Sequence, residues 1–180
     1  MRRRIPNHCL WYPHDCMAGV VLDGKKVSRE IQDELRPRIA ALSAKKRPPA
    51  LAVVLVGDDP ASQIYVRNKI RTCHDLGIRS VELLQPSSVT TQELIGLMQP
   101  MVHDDSIDGI LVQQPLPKHI DSDAVNALID YSKDVDGFGV NSLGRLVLNE
   151  PAPRACTPVG IMEMLNRYRI PVAGKHAVVV

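Results

Sequence analysis

Tyr65 and Lys69 lie one helical turn apart in a segment whose other inward positions are apolar. With Ser62 at 0° and about 100° per residue, Val66, Ile70, Cys73 and Leu76 fall between about 320° and 80°. On the same wheel Tyr65 and Lys69 fall at about 300° and 340°, inside or beside that stripe. Arg67, Asn68, Arg71, His74 and Asp75 take the opposite, solvent-facing arc. A lysine aimed with the apolar stripe is unfavourable unless its ammonium reaches a cleft or a partner. One reading is structural: Lys69 snorkels to water along the apolar face and Tyr65 is a half-buried core ring. The other is chemical: an amine that moves protons, beside an aromatic ring able to stack on a ligand.

Other residues could join them. Gln113 follows the apolar run Asp108–Val112, and Asp134 and Asp136 share the acidic loop Lys133-Asp-Val-Asp-Gly137. That loop reads as a solvated turn or a weak hard-cation loop, and two carboxylates without further ligands do not make a calcium site. His8, Cys9, His14 and Cys16 can be drawn as a metal cluster, but their spacing is irregular and no partner segment accompanies them. No metal site is assigned.

The elements that must position these residues follow from periodicity and caps. After Asp23-Gly24, the spacing of Val27, Ile31, Leu35, Ile39 and Leu42 predicts an amphipathic helix that Pro37 should kink or split. Leu51–Val56 predicts a strand buried on both faces, as in a parallel sheet. Asp59 is a natural N-cap with Pro60 in the first helical position, and the helix should stop at Gly77. A strand over Ser80–Leu84 follows, then a helix from an N-cap at Thr91 with Leu94, Leu97, Met98 and Met101 inward. A third strand, Asp108–Val112, precedes a helix over Asp123–Ile129 and the loop Lys133–Gly139. Thr157-Pro158 opens a last helix, Val159–Tyr168, and Ala177–Val180 reads as the opening of another strand. Alternation of helix and strand predicts an α/β domain layered around a parallel sheet. Ligands of such sheets bind beyond the C-terminal strand ends, where Val56 and Val112 put Tyr65, Lys69 and Gln113. Location therefore favours the chemical reading of the lysine.

Composition narrows the class of function. Lys and Arg number 22 against 20 Asp and Glu, and the three arginines and one aspartate of Met1–Cys16 supply the whole net charge of +2. The body from Met17 is neutral, and aromatic residues are 3%, which argues against a nucleic-acid binder needing a basic stripe or stacking rings. No apolar run reaches the roughly 18 residues a membrane span needs. Cys9, Cys16, Cys73 and Cys156 have neither a disulfide-framework nor a CxxC spacing, which suggests a reducing compartment. Residues 1–16 lack periodicity and a secretory apolar region; they read as a disordered leader or as upstream sequence read through to a start at Met17.

Several strings in order resemble the bifunctional methylenetetrahydrofolate dehydrogenase/methenyltetrahydrofolate cyclohydrolase family. They are DGKKVSREI (Asp23–Ile31), LAVVLVGDDPASQIYVRNKIRTC (Leu51–Cys73), DGILVQQPLPKHI (Asp108–Ile120), KDVDGF (Lys133–Phe138), LGRL (Leu143–Leu146) and CTPVGIMEML (Cys156–Leu165). The resemblance implies a three-layer folate domain over residues 17–150, with residues 151–180 beginning a Rossmann-type NAD(P)-binding domain. It implies that Lys69 is the catalytic lysine, that Tyr65 stacks near the folate and that Gln113 contacts the lysine. By the same resemblance Asp136 holds the pterin and Ser62 lines the cleft. The family usually reads Gln-Leu-Pro-Leu-Pro where this chain has Gln113-Gln114-Pro115-Leu116-Pro117. After Gly137-Phe138 the chain has Gly139-Val140-Asn141-Ser142 in place of the family's His-Pro and differently spaced Asn.

The implied chemistry is oxidation of 5,10-methylenetetrahydrofolate with NADP (or NAD), then hydrolysis of the methenyl product to 10-formyltetrahydrofolate. The resemblance further implies tetrahydrofolate derivatives as partners, a homodimer for the full-length form and a cytoplasmic setting. The glycine-rich turn of a dinucleotide site is absent from the chain, so no nucleotide cofactor is expected to bind it. The alternatives are a catalytically inactive folate-binding or dimer-partner fragment, and the substrate domain of an unrelated dehydrogenase.

Overall fold

The computed structural model describes residues 20–178. The expectations for Met1–Cys16, and those for Val179 and Val180, lie outside these residues.

Local signals start and stop the elements. Asp23 Oδ1 accepts from the backbone N–H groups of Lys25 and Lys26 and opens α1 (Gly24–Lys45). Pro37 was expected to kink or split this helix; it does not split it, and one helix runs through it. Pro37 faces solvent, and the buried residues Val27 and Ile39 on either side anchor the helix across it. β1 (Ala50–Val56) leads into α2 (Pro60–Leu76), which has the expected ends: Asp59 caps it by accepting from Ser62 N at 2.7 Å, and Gly77 closes it with φ +79°.

β2 (Arg79–Gln85) is one residue longer at each end than the expected strand. α3 (Thr91–His103) is capped by Thr90, not Thr91, in a capping box with Glu93. Its Leu94 and Met98 are fully buried, whereas Leu97, expected inward, is largely exposed. β3 (Gly109–Val112) and α4 (Ser122–Ala127) follow, both shorter than expected.

α5 (Val140–Val147) was not foreseen. α6 (Cys156–Arg167) begins before the expected Thr157-Pro158 start, so Pro158 sits within the first turn, where a missing N–H removes no intrahelical bond. Ala177 and Val178 are not in a strand.

The three strands are parallel, in the order β2-β1-β3. Alternation along β1 divides the core. Ala52, Val54 and Val56 join Ile110 and Val112 against Leu94, Met98 and Val125 of α3 and α4. Val53 and Leu55 join Leu111 against Val66 of α2 on the other face. The protein is thus an α/β/α sandwich with a central strand buried on both sides.

α1 packs outside α2, where Arg36 Nη1 donates to the Asp75 carbonyl at 2.6 Å. α6 is tied to α1 by Arg167, whose two Nη atoms donate to both Glu34 carboxylate oxygens at 2.8 Å and whose Nε donates to Glu163. An isolated parallel bridge between Ile110 and Asp134 lays the acidic loop alongside β3.

Candidate active site

The site forms where β1 and β3 end and α2 begins. Gln113 leaves β3 with its backbone N–H still donating to Val54 O, so its position is set by the sheet. Its side-chain Nε2 donates to the Gln114 carbonyl at 2.7 Å, which turns Oε1 toward α2. Lys69 Nζ donates to that oxygen at 2.9 Å. The ammonium has only donors, and the amide oxygen is the acceptor that meets it. This contact spans 44 positions of sequence. The departure at Gln114 leaves it intact, because Gln114 acts here through its backbone carbonyl.

Tyr65, one turn before Lys69, is 61% exposed. The alternative of a core ring for Tyr65 is therefore excluded, and its face is open to solvent. Ser62 is buried at the first turn of α2, with its backbone N–H on Asp59.

The acidic loop brings the fourth residue. The isolated bridge between Ile110 and Asp134 sets the loop beside β3, and Asp136, two residues on, lies close enough to Lys69 to feel its charge. Asp136 is half-buried. Burial raises its carboxyl above its ordinary value; the Lys69 charge and the Cys156 thiol oppose the rise, and Asp134 adds to it.

Cys156, the first residue of α6, completes the group. Its Sγ donates to the Val135 carbonyl at 3.5 Å, and burial followed by the negative charge of Asp136 pushes the thiol up. Gly137 permits this approach of α6: its φ is +67°, and a Cβ there would stand 2.7 Å from the Arg154 carbonyl carbon. Cys156 was not among the expected site residues, although it heads one of the matching strings.

Asp134 is neither a solvated turn residue nor a free cation ligand. It is buried and accepts from Gly137 N, Gly139 N and Ser142 Oγ. A hollow of about 500 Å³ lies elsewhere, past the end of β2, lined by Gln85, Pro86, Ser88, Val89, Glu93, Gly96 and Leu97. Its one carboxylate, Glu93, is engaged in the α3 cap, so that hollow offers no free titratable group.

Residues 22–136 match the family described as tetrahydrofolate dehydrogenase/cyclohydrolase, catalytic domain. The chain belongs to this family. It is 57% identical over 160 residues to a bifunctional protein FolD of Solibacter usitatus, covering 89% of this chain and 52% of that protein. A second FolD, from Chlorobium chlorochromatii, is 48% identical, with 89% and 56% covered. Among solved structures, the bifunctional FolD dehydrogenase/cyclohydrolase of Campylobacter jejuni superposes with a TM-score of 0.81 at 43% identity, over 84% of this chain and 54% of that one. The Trypanosoma brucei enzyme, solved with NADP and an inhibitor, gives 0.83 at 31% identity, over 87% and 54%. The chain spans about half the length of the curated relatives it matches.

Proposed function

We propose that this family member binds a reduced folate between Tyr65, Lys69, Gln113 and Asp136 and that Lys69 handles the protons of methenyltetrahydrofolate hydrolysis. The observation that carries this reading is the bond from Lys69 Nζ to Gln113 Oε1 at the C-terminal sheet edge, with Asp136 beside it. Asp136 accepts from the amino and ring N–H donors of a pterin, and the exposed Tyr65 ring stacks on it. Water adds to the methenyl carbon and loses a proton. The C–N bond of the hydroxyl adduct then breaks, its electron pair and a proton go to the ring nitrogen, and the formyl group stays on the other nitrogen. Lys69, held by Gln113, is the donor and acceptor within reach of that adduct.

A nicotinamide dinucleotide, implied by the family, does not fit the described residues. The turn from β1 into α2, Gly57-Asp58-Asp59-Pro60, carries two carboxylates, and Asp59 already caps α2; the turns from β2 into α3 (Pro86–Thr90) and from β3 into α4 (Gln113–Asp121) hold no glycine. No hydride step is assigned to these residues; the second reading is folate binding without turnover. NADP (or NAD) use, a homodimer and a cytoplasmic setting belong to the proposal for the longer protein. No helix of the described residues is long and apolar enough to cross a membrane.

The test is hydrolysis of 5,10-methenyltetrahydrofolate, followed by loss of its absorbance. Lys69→Ala should lower the rate by at least about 100-fold, the scale of general acid–base catalysis, with unchanged circular dichroism. Hydrolysis at the unaltered rate would remove Lys69 from the mechanism. Folate binding without hydrolysis by the unaltered chain would select the binding-only reading.

A further inference from the structure

We infer that Asp134 is a positioning residue for Asp136, acting by holding the loop from Asp134 to Ser142 in one shape; the inference rests on the folate reading above. Asp134 is 5% exposed, and its two oxygens accept three hydrogen bonds that curl the following chain around it. Oδ1 accepts from Gly137 N at 2.9 Å, Oδ2 from Gly139 N at 2.9 Å and from Ser142 Oγ at 2.7 Å. Asp136 lies inside this curl, between the carboxylate and the Gly137 N–H. Its backbone has little freedom while those bonds hold.

Three features tie the curl to the site. The bridge with Ile110 and the bond from Ile110 N to Lys133 O fix its start on β3, three residues before Gln113. Gly137 presses against Arg154 and Ala155, which fixes Cys156 beside Asp136. Ser142 is fully buried in the first turn of α5, a helix whose N-cap Gly139 supplies no side-chain acceptor. Asp134 supplies the missing negative cap from outside the helix. The carboxylate thus couples the sheet edge, α5 and the entry to α6 to the placement of one side chain, Asp136.

Both oxygens of Asp134 face a backbone N–H, so Asp134→Asn leaves one of these donors without an acceptor. Titration calorimetry of the chain with 5-formyltetrahydrofolate, a stable reduced folate, tests the consequence. Asp134→Asn should weaken binding about tenfold, and Ser142→Ala, which keeps both N–H contacts, about threefold. The effects should not add. In an Asp136→Ala background, Asp134→Asn should change the dissociation constant less than twofold, because the residue it positions is gone.

Asp108→Asn is the control for stability alone. Asp108 holds Arg47 and Ala50 N at the opposite end of the sheet, and its loss should lower the melting temperature with folate affinity unchanged. If Asp134→Asn fails to fold, the Ser142→Ala effect and its loss in the Asp136→Ala background decide the matter. Unchanged folate affinity in Asp134→Asn, with Asp136→Ala weakened, would overturn this inference and leave the folate reading standing. Equal effects of Asp134→Asn with and without Asp136 would also overturn it. Absence of binding by the unaltered chain would overturn the folate reading, and this inference with it.

Discussion

Asp136 combines two demands that conflict. In the proposed role its carboxylate accepts from a pterin best when charged, yet burial favours the protonated form. The folded state therefore takes up this proton more readily than the unfolded chain does. Below the ordinary carboxylate value of 3.8 both states are protonated and the group is neutral toward stability. As pH rises through the higher folded value, the folded state is penalised. Asp136→Asn removes the penalty, so thermal melting should show it more stable than the unaltered protein at pH 7, with the difference vanishing below about pH 3. The same change should weaken folate binding, since an amide is a poorer acceptor for the N–H donors of a pterin. Equal melting curves at both pH values would mean that Asp136 is not desolvated in solution.

Two contacts decide where the later helices stand. Gly137→Ala would force an L side chain to φ +67° and push its Cβ into the backbone of Arg154 and Ala155. A loss of about 2 kcal/mol in denaturant unfolding is expected, because neither the loop nor the entry to α6 can yield alone. A loss within error of zero would show that this approach is loose.

α6 has no fully buried residue, and Arg167, paired with Glu163 of its own helix, ties it to Glu30 and Glu34 of α1. In Arg167→Ala the α6 amides should exchange with solvent at least about tenfold faster while those of β1 stay protected. Unchanged exchange in α6 would show that its apolar contacts with α1 suffice. α1 is tied to the rest of the fold at three points before Pro37: Asp23, whose N–H donates to the Tyr168 hydroxyl, Glu34, which accepts from Arg167, and Arg36, which donates to the Asp75 carbonyl.

At the scale of the whole molecule, the proposed folate site, with no glycine-rich strand-to-helix turn among the described residues, leads to a clear expectation. Calorimetric titration of the 180-residue chain with NADP or NAD should show no micromolar binding, whereas a reduced folate should bind. Micromolar affinity for either nucleotide would mean that the cofactor site lies among residues assigned here to other roles. Elements whose signals are local were legible in the sequence. Asp59, Pro60 and Gly77 bound α2 within its own stretch of chain, and the run at β1 is apolar because both its faces are covered. The direction of Lys69 was likewise readable, since a helical period turns spacing into a face. α5 was not readable, because its cap is Asp134, five residues before its N-cap and delivered by a fold-back that sequence spacing does not encode. Leu97 was misjudged because its place at the edge of the apolar stripe, which spacing alone does not resolve, leaves it exposed. The convergence of Lys69 on Gln113 and of Asp136 on Cys156 was settled only by the tertiary structure. Hydrogen bonds between distant segments depend on sheet register and loop closure, and both are properties of the packed molecule rather than of any one stretch of it.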